Sequence, residues 1–328
     1  MLSRRSIRRA ALGAFVALAT LPQGAAAQRD GAGPAATAEA AGSSTLRRDD
    51  LRVGTVAYRL ARAGAARCTV KYPLTGILWH HLVEYEPRDR ATMIERHSLD
   101  RGPGVLSVIG GSPAAAAGLA AGDTLLAVAG RSFPTGAAVA AEPKREKWRR
   151  RAEDSEAMLE EALRTGPAEL RLLRNGREMS VTLGSEPGCL GRVRLARSTQ
   201  VNAFATGRTV VMTTAMLAFL RSDDELAVVL GHELAHNIFG HPATRTEEGL
   251  LAGLGIKASA MWKREEAADR FGLRLVADAG FDLEAAIPFW RRYLGKYDWF
   301  PQIFRSHPSL GAREKIAAEE IAAIRSGR

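Results

Sequence analysis

Residues 224–239 of this 328-residue chain repeat apolar side chains at helical spacing, and Gly231-His232-Glu233-Leu234-Ala235-His236 lies inside that run. On a helix, His232 and His236 stand one turn apart on one face, with Glu233 beside them. Ser222-Asp223-Asp224-Glu225 precedes the run with an N-cap and an acidic first turn, so capping predicts the same helix. Two imidazoles on one face can point ring nitrogens at a single cation. A zinc hydrolase needs this arrangement: the metal acidifies a bound water and the adjacent carboxylate takes its proton.

Two histidines leave zinc short of protein ligands. The longer pattern H-E-x-x-H-x-x-G-x-x-H needs Gly at 239 and His at 242, but the chain has Phe239, Gly240, His241 and Pro242. That register fails, and His241 is read as a helix-end residue. The stronger candidate is Glu265, in Arg264-Glu265-Glu266-Ala267-Ala268-Asp269-Arg270. Glu265 and Asp269 are four apart on a second predicted helix, which puts a ligand and a further carboxylate on one face. Asp269 is then placed to accept the outer N–H of a zinc-bound histidine and fix its orientation. Glu266 points elsewhere and is the alternative ligand. In the competing reading these acids only pair with Arg264 and Arg270 on a solvated face. The expectation is one Zn²⁺ per chain on His232, His236 and Glu265, with Glu233 as general base.

The segment from Met1 to Ala27 reads as a secretory signal: Arg4, Arg5, Arg8 and Arg9, an apolar stretch over 10–21, and the small residues Ala25-Ala26-Ala27. An exported protein, periplasmic or extracellular, is therefore expected. Ser3-Arg4-Arg5 only partly resembles a twin-arginine signal. Removing the segment takes away four arginines and no acid from a formal charge of +10, so the remainder is mildly basic. The densest basic run, 144–151, is accompanied by no aromatic-interleaved platform and no nucleic-acid motif, so no nucleic-acid partner is expected. No apolar run is long enough to span a bilayer, and 249–262, apolar in places, falls short of that length. Residues 28–48, rich in Ala, Gly and Ser, are predicted to be a disordered leader, and 49–66 a helical segment. The two cysteines, Cys68 and Cys189, are expected to form one disulfide in an exported chain. The loop it closes would contribute about 4 to 5 kcal/mol by the chain-entropy model.

Between the cysteines the pattern changes to short strands and glycine turns. Residues 104–109 read as a strand, 111–119 as a turn into a short helix, 121–128 as a strand, 155–164 as a helix, and 168–173 with 179–183 as a hairpin turned by Asn175-Gly176. The ordered series Ser112-Pro113-Ala114, Ala117-Gly118-Leu119, Gly122-Asp123 and Arg174-Asn175-Gly176 resembles the PDZ domains of bacterial envelope proteases. It covers 105–183 and departs from them in an insert, 134–154. The resemblance implies a PDZ-like domain over 67–190 that takes a C-terminal peptide as an added strand, its carboxylate near Arg101-Gly102-Pro103-Gly104. His80 and His81 are adjacent on a predicted strand, point to opposite faces and are read as structural.

Farther on, Asn202-Ala203-Phe204, Glu225-Leu226-Ala227, the motif itself, Glu265 with Ala268-Asp269, and Ser306-His307-Pro308-Ser309 occur in the order seen in HtpX-like zinc metallopeptidases. These belong to metallopeptidase family forty-eight, which also holds the CAAX prenyl proteases. The resemblance implies a gluzincin zinc metallopeptidase domain over 193–328. His307 and Arg313 match the family's downstream His and Arg, so His307 is assigned a catalytic role at the oxyanion and Arg313 a supporting one. The β-branched run 208–212, with Arg208, Val210 and Met212, is expected to be a sheet edge that holds substrate extended. The fold class expected is thus α+β multidomain: a PDZ-like β-rich domain, then a mainly helical gluzincin domain with a small sheet. The function expected is an exported zinc metalloendopeptidase (EC 3.4.24) acting on misfolded or extended envelope proteins. The alternatives are a PDZ-based peptide-binding or chaperone-like module with a latent site, and a zinc aminopeptidase.

Overall fold

The computed structural model describes residues 34–141, 145–241, 258–297 and 309–327. The signal-like segment, Lys144, residues 249–257 and His307 lie outside them. The chain divides into a short N-terminal unit, Met1–Gly42, and a unit Ser43–Arg328 that carries two hydrophobic cores.

Helix α1, Pro34–Ala63, opens the described chain. Its first residues fall within the stretch 28–48 expected to be a leader. Alanine-rich sequence has high helix propensity, so the apolar helix that follows can propagate backwards through it. Val53, Val56, Ala57, Leu60 and Ala61 of α1 are buried in one core with Leu226, Leu230 and Leu275 of the C-terminal half, which are remote from them in sequence.

The β-rich region contains β1 (Tyr72–Leu74), β2 (Ile77–His80), α2 (Arg90–His97), β3 (Gly104–Val108), α3 (Pro113–Ala116), β4 (Thr124–Val128) and β5 (Arg131–Ser132). It continues with α4 (Gly136–Ala140), α5 (Arg145–Ala162), β6 (Ala168–Arg174), β7 (Arg177–Leu183) and β8 (Glu186–Gly188). The main sheet runs β2-β3-β4-β6-β7, all antiparallel, with β5 on β4, while β1 and β8 pair separately. Its apolar residues, including Ile77, Val105, Leu125, Leu170 and Leu172, face the second core with Leu159 and Leu163. Asn175 and Gly176 have φ of 50° and 76°, the left-handed pair that a two-residue hairpin needs. Two expectations change here. The helix expected from 155 begins at Arg145, inside the insert 134–154, because the basic run continues its pattern without a breaker. Residues 101–104 lead into β3, an inner strand, and Pro103 C=O accepts from Leu125 N–H, so β3 has no open edge for an added strand.

The C-terminal half contains β9 (Val193–Ala196), β10 (Ala203–Ala205), β11 (Val210–Thr213), α6 (Thr214–Phe219) and α7 (Asp223–Ile238). Then follow α8 (Ala258–Asp278), α9 (Ala286–Tyr297) and α10 (Leu310–Arg325). Mixed helix and sheet is thus the observed class. The three-stranded sheet has the order β10-β11-β9, antiparallel then parallel. This overturns the expected substrate edge. β11 is the central strand, and Val210 and Met212 are fully buried core residues; Arg208 sits in the preceding turn, 3.8 Å from Asp154. A β-branched run marks burial on both faces as readily as an edge. Among the described strands the open edges of this sheet are β9 and β10.

Cys68 and Cys189 form a disulfide that ties the end of α1 to the segment after β8. No helix among the described residues is long and apolar enough to cross a membrane.

Candidate metal centre

Ser222 caps α7 by accepting from Glu225 N–H, and three acids occupy the first turn, which suits the positive end of the helix dipole. The helix then runs under β10 and β11 and against α8. The crossing is close because two glycines face each other: a Cβ on Gly231 would lie 2.9 Å from Gly272 C=O, and one on Gly272 2.8 Å from the Gly231 carbonyl carbon. That contact stands beside His232 and one turn from Asp269, so it sets the distance between the two sets of side chains.

Across it, His232 Nε2 and His236 Nε2 are 3.1 Å apart. Glu265 places Oε2 3.5 Å from the first and Oε1 3.4 Å from the second. Donors sharing one tetrahedral zinc at about 2.1 Å stand about 3.4 Å from one another, so these three residues fit such an ion in separation as well as in type. They form the one group of three buried donors of this kind among the described residues.

Each donor is held from behind. His232 Nδ1 is 2.8 Å from Asp269 Oδ1, the contact that fixes which nitrogen faces the cluster. Arg313 is buried, donates through Nη2 to Glu265 Oε2 at 3.0 Å, reaches Asp269 Oδ2 at 3.5 Å and stacks on Trp290 at 3.9 Å. Its guanidinium therefore lies beneath the ligands, where it balances two carboxylates. His236 Nδ1 is 2.8 Å from His241 Nδ1. Burial by itself would lower the His232 imidazole, but the Asp269 carboxylate and the hydrogen bonds to Asp269 and Glu265 raise it to about 10. The centre thus concentrates negative field where a proton or a cation sits, and the two compete. Burial and the neighbouring His236 push His241 down to about 4. Glu233 is half-buried and, among the described residues, is committed to no ion pair.

Glu266 turns to the outer face and pairs with Arg270 at 2.9 Å, so it is no ligand here. His80 and His81 are buried far along the chain, His80 against Tyr85 Oη at 2.7 Å, His81 capping the short turn 82–84. Sequence reasoning missed four contributors: the Gly231/Gly272 pair, Trp290, His241 as a neighbour of His236, and Asn237. The last accepts Gly207 N–H at 2.6 Å and so pins the β10–β11 turn to α7. Only the small residue four before Ala235 and the i, i+5 spacing of His241 gave any signal.

Comparison with known proteins points to the same chemistry. Residues 171–262 and 249–321 match the model of peptidase family M48. Mitochondrial metalloendopeptidase OMA1 of Arabidopsis thaliana is 31% identical over 143 residues, 36% of this chain and 29% of that protein. The "Putative beta-barrel assembly-enhancing protease" of Vibrio cholerae serotype O1 is 29% identical over 150 residues, 35% of this chain and 31% of that one. The aligned stretch thus spans under a third of each relative. Among solved structures, the HtrA3 PDZ domain bound to a phage-derived ligand aligns with 36% of this chain and 89% of its own, at 19% identity; its TM-score of 0.25 is too low to carry an argument. The M48 matches support a metalloprotease, and they cover the stretch that holds His232, Glu233, His236, Glu265, Asp269 and Arg313.

Proposed function

We propose that the chain is an exported zinc metalloendopeptidase that cleaves extended or misfolded envelope proteins. The observation that carries this reading is the convergence of His232, His236 and Glu265 at zinc-ligand separations, with Glu233 next to His232. Zn²⁺, when bound, supplies a Lewis acid that acidifies water and polarises a carbonyl. Glu233 takes the proton from the attacking water and delivers it to the leaving amine. Asp269 and Arg313 keep the imidazole and carboxylate donors turned inward through the cycle, and His307 contributes to the oxyanion.

Substrate lies along β10, the open edge that packs on α7, with its backbone paired to Ala203–Ala205. Phe204, 38% exposed, offers an apolar contact there. Pairing of this kind reads backbone shape, so it favours unfolded segments over particular side chains. The antiparallel sheet of the β-rich region acts as a PDZ-like module that recruits C-terminal peptides. Export is supported by the signal-like segment from Met1 to Ala27 together with the disulfide, which belongs to oxidising compartments.

The test is cleavage of casein by the zinc-loaded protein. Activity should vanish with a chelator and in Glu233→Gln, which should retain its metal. Equal cleavage by Glu233→Gln sinks the assigned base. Products trimmed only from their N-termini would indicate an aminopeptidase, and a zinc-loaded wild type that cleaves nothing would favour the binding-module alternative.

A further inference from the structure

We propose that His241 is the positioning residue of the second imidazole ligand, accepting a hydrogen bond from His236 Nδ1–H and so aiming His236 Nε2 at the cation. The inference rests on the zinc reading above and concerns the side of the site that reading leaves open. His232 has a carboxylate behind it, Asp269, whereas the nitrogen 2.8 Å from His236 Nδ1 belongs to His241.

Two ring nitrogens at that distance hold one proton between them. His236 Nε2 faces His232 Nε2 and Glu265 and must present a lone pair to bind a metal, so the proton of its neutral ring is on Nδ1. His241 Nδ1 is then the acceptor, and the proton of His241 is on Nε2. His241 is not itself a third imidazole ligand, because the nitrogen it meets is the one turned away from the donor cluster, which consists of His232, His236 and Glu265.

Local structure explains how a residue just past the helix reaches back. Phe239 N–H and Gly240 N–H bond to Ala235 and Asn237 carbonyls, and Gly240 takes φ of +69°, the left-handed turn that ends a helix. The His241 ring then lies 5.0 Å from that of His236 and 5.4 Å from that of Phe239. The H-E-x-x-H helix therefore carries its own orienting group, just beyond the ligand it serves.

The experiment measures Zn²⁺ affinity by chelator competition for wild type, His241→Leu and His241→Asn, with thermal unfolding of the metal-free proteins alongside. The Asn amide oxygen falls near the position of Nδ1 and can accept the same bond. His241→Leu should bind zinc about 10- to 100-fold more weakly, the usual loss when a ligand's outer partner is removed, while His241→Asn stays close to wild type. Affinity unchanged in His241→Leu overturns the proposal, as does an equal loss in both variants. Should His241→Leu fail to fold, ¹⁵N–¹H correlation of the zinc-loaded wild type decides: protons on His236 Nδ1 and His241 Nε2 support the assignment, and the opposite pair overturns it. A wild type that binds no zinc would instead overturn the metal reading itself.

Discussion

Glu265 and Glu266 are neighbours in sequence with opposite duties. The first is buried among imidazoles and the second pairs with Arg270 at the surface. Glu265→Ala should lose zinc on metal analysis, whereas Glu266→Ala should keep a full equivalent; the reverse result would reassign the ligand. Arg313 is the more demanding case, since it is buried against both Glu265 and Asp269. Arg313→Met leaves two buried carboxylates without their cation, which by comparison with other broken buried pairs costs about 3 to 5 kcal/mol. Urea unfolding of the metal-free protein measures that cost, and added zinc should recover part of it, because the metal replaces some of the missing positive charge. At this scale the sequence was informative. The i, i+4 spacings 232/236 and 265/269 assign faces, whereas His236 meeting His241 depends on the left-handed backbone at Gly240, which no periodicity encodes.

The element that governs the centre is the crossing of α7 and α8. Gly231→Ala or Gly272→Ala places a methyl within 2.9 Å of backbone, so the helices must part and the donors with them. Each should lower stability by about 1 to 3 kcal/mol and weaken zinc binding. Gly295→Ala in α9 is the control: nothing lies within 4 Å, and the substitution should be neutral or stabilise by up to about 1 kcal/mol. Thermal unfolding with and without zinc separates these outcomes. Helix α7 was legible from its cap and period. The role of its glycine was not, because the partner, Gly272, sits on a different helix far along the chain, and a glycine in a helix pattern carries no label for what it touches. Strand β11 shows the same gap: its composition predicted a strand, and only the pairing of β9 and β10 on its two sides made it central.

Over the whole molecule, a buried ionic cluster fastens the β-rich region to the C-terminal half. Glu156 of α5 meets Arg194 of β9 and Arg192 at 3.5 Å; Arg192 also holds Glu160 at 2.6 Å, and Thr209 donates to Glu153 at 3.0 Å. Burial would raise the Glu156 carboxyl, but Arg194, His81 and Arg192 outweigh it and hold the group at about 2, against an ordinary 4.5. The folded value is the lower one, so the stabilisation is fully present above pH 4.5 and is lost as pH falls toward 2. It amounts to about 3 kcal/mol. The stability difference between wild type and Glu156→Gln in urea should therefore be largest near pH 7 and shrink steadily below pH 4.5; a constant difference would refute the assignment. Replacing both Cys68 and Cys189 by Ser should cost about 4 to 5 kcal/mol in the same assay, since the loop they close is long. The sequence by itself determined the two structural grammars, the helix that carries His232, Glu233 and His236, and the chemical types able to bind a metal, because each follows from local spacing. Only the tertiary structure decided that α1 completes the core of the distal half, that β10 and not β11 is open, and that Arg313 lies beneath the ligands with His241 behind one of them. Those relations depend on contacts between residues far apart in the chain or on the left-handed turn at Gly240, and periodicity holds no record of either.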